Sequence, residues 1–225
     1  MGMPMSTRSV GRREVRVREG SDVCLITFYS DFNEDSFDDL SQRIDDITIV
    51  AVRVDDWNDE LSPWSAPPIR GNEEFGGNAP QTLSFITDEL IPEVGCESYI
   101  IGGYSMAGLF SLWACYNTDA FDACAAVSPS VWFPGWDAYI DGREMRARHV
   151  YLSMGDREAK VRDRTLSKVT DMIQKQFDTL SGSMGDHVKM EWNEGNHFDD
   201  PMGRQVKGFL WAVDKVSSEN SVDDV

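Results

Sequence analysis

Ser105 stands within residues 99–113, YIIGGYSMAGLFSLW, where an apolar run passes through Gly103-Tyr104-Ser105-Met106-Ala107-Gly108 directly into a helical pattern. A serine on a sharp strand-to-helix turn is lifted above the sheet, where its hydroxyl can act as a nucleophile. Such a turn brings the backbone on either side close together, so only Gly or Ala fits next to it. Gly103 and Ala107 occupy those two places, and Gly108 lets the helix lie close to its neighbours. The helix begins just after Ser105, so its N–H groups and dipole favour a developing anion there. A Gly-x-Ser-x-Ala string also arises by chance, and a serine that starts a helix is often only its N-cap. The reading therefore depends on partners.

A nucleophilic serine needs a base, and the chain has three histidines. His149 opens a strand-like run beside Arg146 and Arg148, and His187 precedes another; both read as structural or exposed. His197 lies in residues 193–198, NEGNHF, between the last strand and the last helix. That is where a parallel α/β sheet delivers loops to the carboxyl ends of its strands. The third member is a carboxylate that orients the imidazole, expected after the preceding strand. Gly155-Asp156-Arg157-Glu158 follows the run 149–154. Both acids are chemically able. Glu158 is preferred, because the residue next to Gly155 tends to spend its side chain on the turn. The chain order Ser, acid, His is the one found in α/β-hydrolases.

The elements that must position these residues alternate along the chain. Strand-like runs cover 14–17, 23–29, 47–54, 98–102, 123–128, 149–154 and 188–192, most of them short and continuously apolar, as for strands covered on both faces. Helical spacing links Leu109, Leu112, Trp113 and Tyr116, then Val206, Phe209, Leu210 and Val213. A longer helix runs through Leu166, Val169, Ile173, Phe177 and Leu180, with Gly182 as its expected C-cap. This alternation predicts one α/β domain over residues 1–225, a mostly parallel sheet with helices on both faces. Residues 1–12 and 217–225 are expected to be flexible ends. Residues 55–80 and 128–148 break the rhythm and carry Trp57, Trp64, Trp132, Phe133 and Trp136. No large lid is expected, since the connection 128–148 allows at most a short helix, and Trp57, Trp64, Trp132 and Phe133 are candidates for the wall of an open site or for plain core.

Composition bounds the partners. A net charge of −18 and a pI near 4.4 exclude a basic footprint for nucleic acid or an anionic membrane surface. The charge is local: residues 19–142 hold 23 acids against Arg43, Arg53 and Arg70, a net of −20, and the rest of the chain is +2. A negative field there is expected to disfavour anionic ligands, although solvated surface is the plainer reading. No apolar run reaches membrane-spanning length, and the basic residues near the start have no apolar segment behind them, so a cytoplasmic address is expected. Cys24, Cys96, Cys115 and Cys124 lack metal-type or redox-type spacing and read as reduced thiols. Residues 31–42 imitate a calcium loop, but Ser36 and Gln42 replace the required Gly and Glu, and Phe37 with Leu40 suggests a helix instead. No metal or cofactor is expected.

The segments GYSMAGL, YLSMGDRE and WNEGNHF resemble the compact serine esterases of the α/β-hydrolase superfamily, in particular the putative-esterase group with esterase D-like and siderophore esterase-like proteins. The resemblance extends over roughly residues 23–213. It implies an α/β-hydrolase fold and acyl transfer to water through an acyl-enzyme: Ser105 attacks, His197 moves the proton and Glu158 orients His197. It also implies an oxyanion hole that joins the Met106 amide to an amide after an early strand, assigned to Phe32. The usual His-Gly signature is replaced there by Tyr29-Ser30-Asp31-Phe32. The expected substrate is a small ester that is not strongly anionic, against a wall of Trp57, Trp64 and Trp132. The alternative is a catalytically silent relative that uses the same pocket for binding; its intact trio weighs against that.

Overall fold

The computed structural model describes residues 5–69 and 71–223. Eight strands build one sheet: β1 (Met5–Val10), β2 (Arg13–Arg18), β3 (Ser21–Tyr29), β4 (Ile47–Arg53), β5 (Ser98–Tyr104), β6 (Ala123–Val127), β7 (His149–Gly155) and β8 (Val188–Asn193). Their order is β1-β2-β4-β3-β5-β6-β7-β8; the pairs from β4 to β8 are parallel, and β2 is antiparallel to both β1 and β4. Along β3, Val23, Leu25 and Tyr29 pack into one core while Cys24, Ile26 and Phe28 pack into another. That is the period of two of a strand buried on both faces.

The two cores have different helices. On one face lie α1 (Ser36–Arg43) and α8 (Pro201–Asp223), which contribute Phe37, Leu40, Phe209, Ala212 and Val216. On the other lie α2 (Trp57–Glu60), α3 (Ala79–Phe85), which runs on through a π turn at Ile86–Leu90 into α4 (Ile91–Val94), then α5 (Met106–Asn117), α6 (Trp136–Tyr139) and α7 (Val169–Met184). α5 is buried from Met106 to Tyr116, which accounts for its nearly unbroken apolar sequence. In α1, Asp38 and Asp39 fall in the first turn and Arg43 in the last, matching the helix dipole.

Several expectations are corrected. Residues 5–12 are not a flexible end: β1 pairs with β2 from Met5↔Arg18 to Val10↔Arg13 across a two-residue turn, with Gly11 at φ +54°. β1 is largely exposed, so its sequence MSTRSV carries little apolar signal. Residues 217–220 are likewise not loose, because α8 continues to Asp223 and Asn220 Nδ2 donates to Ser98 Oγ at 3.1 Å. The remaining positions of the two ends, 1–4 and 224–225, lie outside the described residues. Gly182 does not end α7, which runs on to Met184 with Gly185 (φ +57°) beyond it. Leu210 is exposed on α8, and Ala212 and Val216 join Phe209 in facing the sheet instead. Among the described residues, no helix is long and apolar enough to cross a membrane.

Candidate active site

The turn from β5 into α5 holds Ser105 at φ +58°, ψ −118°, a backbone region that L residues rarely adopt. Neighbouring hydrogen bonds impose it: Ser105 N donates to Val127 O at 3.1 Å, and Ser130 N donates to Ser105 O at 3.0 Å. A Cβ on Gly103 would lie 2.5 Å from the Ala107 Cβ, so the small residues around the turn are a steric requirement. The turn aims Ser105 Oγ at His197, whose Nε2 lies 3.1 Å away. His197 Nδ1 in turn lies 2.8 Å from Glu158 Oε2.

Glu158 is 7% exposed and its other oxygen is also fully engaged. Oε1 accepts from the Gly155 amide at 2.7 Å, Ser128 Oγ at 2.8 Å and Arg204 Nη1 at 3.1 Å. Burial pushes the Glu158 carboxyl up, but the His197 hydrogen bond and charge, the Gly155 amide and Ser128 outweigh it and hold the carboxyl below its usual range. A group whose folded pKa is depressed stabilises the fold above its unfolded pKa, near 4.3, and that contribution is lost as pH falls through the folded value. In thermal melts from pH 7 down to pH 3, the wild type is therefore expected to lose more of its midpoint than Glu158→Gln does. Parallel curves would contradict it.

Asp156 makes a different contact. Its Oδ1 accepts from the Gly195 amide at 2.8 Å and joins the two loops that carry Glu158 and His197. The His197 loop is fixed further by Tyr104 Oη donating to His197 O at 2.7 Å and by Arg204 Nη2 donating to Glu194 O at 2.9 Å. Arg204 is 2% exposed and touches both loops and the acid. Sequence reasoning missed it, along with Tyr104, Ser128 and Ser130, whose Oγ lies 3.2 Å from Ser105 Oγ. One signal was present for Arg204: it shares four-residue spacing with Gly208, Ala212 and Val216, a cation on the stripe of α8 that faces the sheet.

Two cavities meet at Ser105 and His197. The smaller, about 180 Å³, is walled by Pro129, Trp132, Val161, Leu166, Val169 and Phe198. The larger, about 420 Å³, is walled by Phe32, Asn33, Trp57, Tyr104, Phe198 and Gln205 among others. Phe32 sits in a 3-10 turn, Asp31–Asn33, closed by Asn33 N donating to Ser30 O and by Ser30 N donating to Asn33 Oδ1. In such a turn the Phe32 amide has no partner within the turn itself. Trp57 and Trp132 thus reach the site, one per cavity. Trp64 does not: its Nε1 donates to Pro134 O at 2.9 Å, and its ring packs among Phe133, Trp136 and Tyr139. Phe133, also a candidate for the wall, is 1% exposed in that same cluster.

A protein-family profile described as "Putative esterase" matches residues 27–181, more than half of the sequence. The chain belongs to the putative esterase family. It is accordingly an enzyme, and hydrolysis of esters is its class of reaction. Its fold is that of the α/β-hydrolases: an IroE-like serine hydrolase from Shewanella oneidensis superposes with a TM-score of 0.72 at 16% identity, covering 91% of this esterase and 78% of the other chain. The siderophore hydrolase EstA from Aspergillus nidulans gives 0.63 at 17% identity over 93% of both chains. The Pyrococcus furiosus esterase Pf2001 gives 0.57 at 11% identity, again over 93% of both. No protein of curated function matches the sequence of this esterase.

Proposed function

We propose that this esterase hydrolyses small uncharged carboxylic esters through a Ser105–His197–Glu158 triad and an acyl-enzyme. The observation that carries the reading is the unbroken chain of contacts, Ser105 Oγ to His197 Nε2 at 3.1 Å and His197 Nδ1 to Glu158 Oε2 at 2.8 Å, opening on two cavities. Ser105 Oγ attacks the ester carbonyl carbon while His197 Nε2 takes its proton. Glu158 fixes the tautomer by accepting the hydrogen bond of Nδ1–H and stabilises the imidazolium that forms. The developing oxyanion is received by the Met106 amide at the start of α5 and by the Phe32 amide in its turn. Collapse expels the alcohol, which takes the proton from His197. Water, activated by the same imidazole, then attacks the acyl-enzyme and frees Ser105.

The two cavities divide the substrate. Trp132, Val161, Leu166 and Val169 make the smaller one largely apolar, suited to a short alkyl or single-ring group. Asn33, Ser36 and Gln205 make the larger one more polar. Among the described residues, no carboxylate besides Glu158, already held by His197 and Arg204, lines either cavity. Part of the acidic stretch is also paired: Arg53 meets Asp31 and Asp55, Arg13 meets Glu60, and Arg16 meets Glu34. Residues 156–168, which supply Glu158, Val161 and Leu166, carry five basic residues against three acids. A neutral wall thus supports an uncharged ester, and the net charge gives no strong ground for rejecting anions. Four free cysteines suit a reducing compartment such as the cytoplasm.

The test is a panel of neutral p-nitrophenyl and aryl esters of increasing acyl length. Turnover of the short members is expected; failure on every member contradicts the proposal. Within that panel, Trp132→Ala is expected to raise KM several-fold while kcat and the melting midpoint change little. Trp64→Ala is expected to do the reverse, costing about 3 kcal/mol of stability with kinetics of the folded fraction unchanged. Equal effects of the two on KM would remove Trp132 from the site.

A further inference from the structure

At the end of the sheet away from Ser105, His149 opens β7, His187 closes the turn before β8, and Glu219 lies near the end of α8. The three are 38 and 32 residues apart in sequence, so no spacing motif could have shown them together. His149 is 4% exposed, while His187 is open to solvent. Their Nδ1 atoms are 3.3 Å apart, and His149 Nε2 is 2.8 Å from Glu219 Oε1. One ligand atom from each residue can be chosen so that all three lie within 4.8 Å of one another.

A carboxylate only accepts hydrogen bonds, so the His149 proton sits on Nε2 and its Nδ1 presents a lone pair towards His187. Two imidazole nitrogens bound to one tetrahedral ion at about 2.05 Å each are roughly 3.3 Å apart, with ring centroids roughly 5.2 Å apart. The structure has 3.3 Å and 4.9 Å. A linear N–H···N hydrogen bond at that separation would put the centroids at roughly 5.6 Å. The two nitrogens are within hydrogen-bond reach, and the centroid separation lies nearer the shared-ion value than the linear one.

We propose that His149 Nδ1 and His187 Nδ1 bind a divalent transition-metal ion of the Zn²⁺ or Cu²⁺ class, with Glu219 as the outer-shell acceptor that orients His149. A ligating histidine that passes its second N–H to a carboxylate is the usual support for such a site. Arg148 holds the remaining Glu219 oxygen at 2.7 Å and is itself held by Asp122 at 2.8 Å, so the carboxylate is fixed from both sides. Trp211 covers the edge of the His149 ring. Solvent completes the coordination on the exposed His187 side. The ion would tie β7, the turn before β8 and the end of α8 together, a structural clasp remote from the chemistry at Ser105.

The test uses Zn²⁺ alone, followed by calorimetric titration and thermal melts, with Co²⁺ absorption as a report on tetrahedral nitrogen ligation. The wild type is expected to bind one equivalent at this site and to gain about 5–10 °C in midpoint at a hundredfold excess over the dissociation constant. His187→Ala, at an exposed turn position, is expected to keep its fold and esterase activity but lose both the binding and the gain. His197→Ala is expected to retain them, which separates this site from the Ser105 region. Absence of binding to the wild type, or an undiminished midpoint gain in His187→Ala, would overturn the proposal.

Discussion

Ser105→Ala is expected to lower kcat for p-nitrophenyl butyrate by about 10⁴- to 10⁶-fold, since removing the nucleophile leaves only binding and the oxyanion donors. The same change is expected to leave the fold intact. The contacts that hold the turn are made by the Ser105 backbone with Val127 and Ser130, not by its hydroxyl. Alanine inherits the φ of +58° and gains nothing from it. Ser105→Gly releases that strain, of order 1–3 kcal/mol, and at about 2–4 °C per kcal/mol its midpoint should rise by several degrees. An inactive variant that melts higher than the wild type would show that the strain is kept for the chemistry. Activity of Ser105→Ala within tenfold of the wild type would remove Ser105 as the nucleophile.

Glu158→Gln is expected to lower kcat by about 10³- to 10⁴-fold, because an amide at this position can donate to His197 Nδ1 and favours the wrong tautomer. It also leaves the Arg204 guanidinium, 2% exposed, without its anionic partner, so a loss of roughly 3 kcal/mol in stability should accompany the kinetic loss. Asp156→Asn keeps an oxygen that accepts from the Gly195 amide, so its kcat should stay within about threefold of the wild type, as for loss of a minor hydrogen-bond increment. Steady-state kinetics and melts of both variants decide the assignment. A larger kinetic loss in Asp156→Asn than in Glu158→Gln would reverse the roles of the two acids.

Much of the site was legible because its constraints are local. The turn around Ser105 admits only small neighbours, and Gly103 with Ala107 satisfies that in plain sequence. The choice between Asp156 and Glu158 rested on turn chemistry, and the structure brings Glu158 to His197 while Asp156 binds the Gly195 amide. What sequence could not convey was anything decided by approach in space. Arg204 lies 46 residues from Glu158 and reaches it only because α8 returns across the sheet next to β7. Trp64 and Trp132 are chemically alike, and whether each faces a cavity or a neighbouring indole is set by tertiary packing.

The strand β1 was missed for a related reason. An edge strand that is mostly exposed needs no apolar alternation, so pairing alone makes it a strand. The charge shows the same limit. The imbalance between residues 19–142 and the remainder is real in sequence, yet Arg13 and Arg16 from β2 fold back to pair with Glu60 and Glu34 inside that stretch.

The central claim, that Ser105 is the nucleophile activated by His197, is tested most directly by a fluorophosphonate adduct located by peptide mass spectrometry. One adduct per chain on Ser105 is predicted, abolished in Ser105→Ala and slowed at least about 10³-fold in His197→Ala. Labelling at a different residue, or labelling of His197→Ala as fast as the wild type, would contradict it.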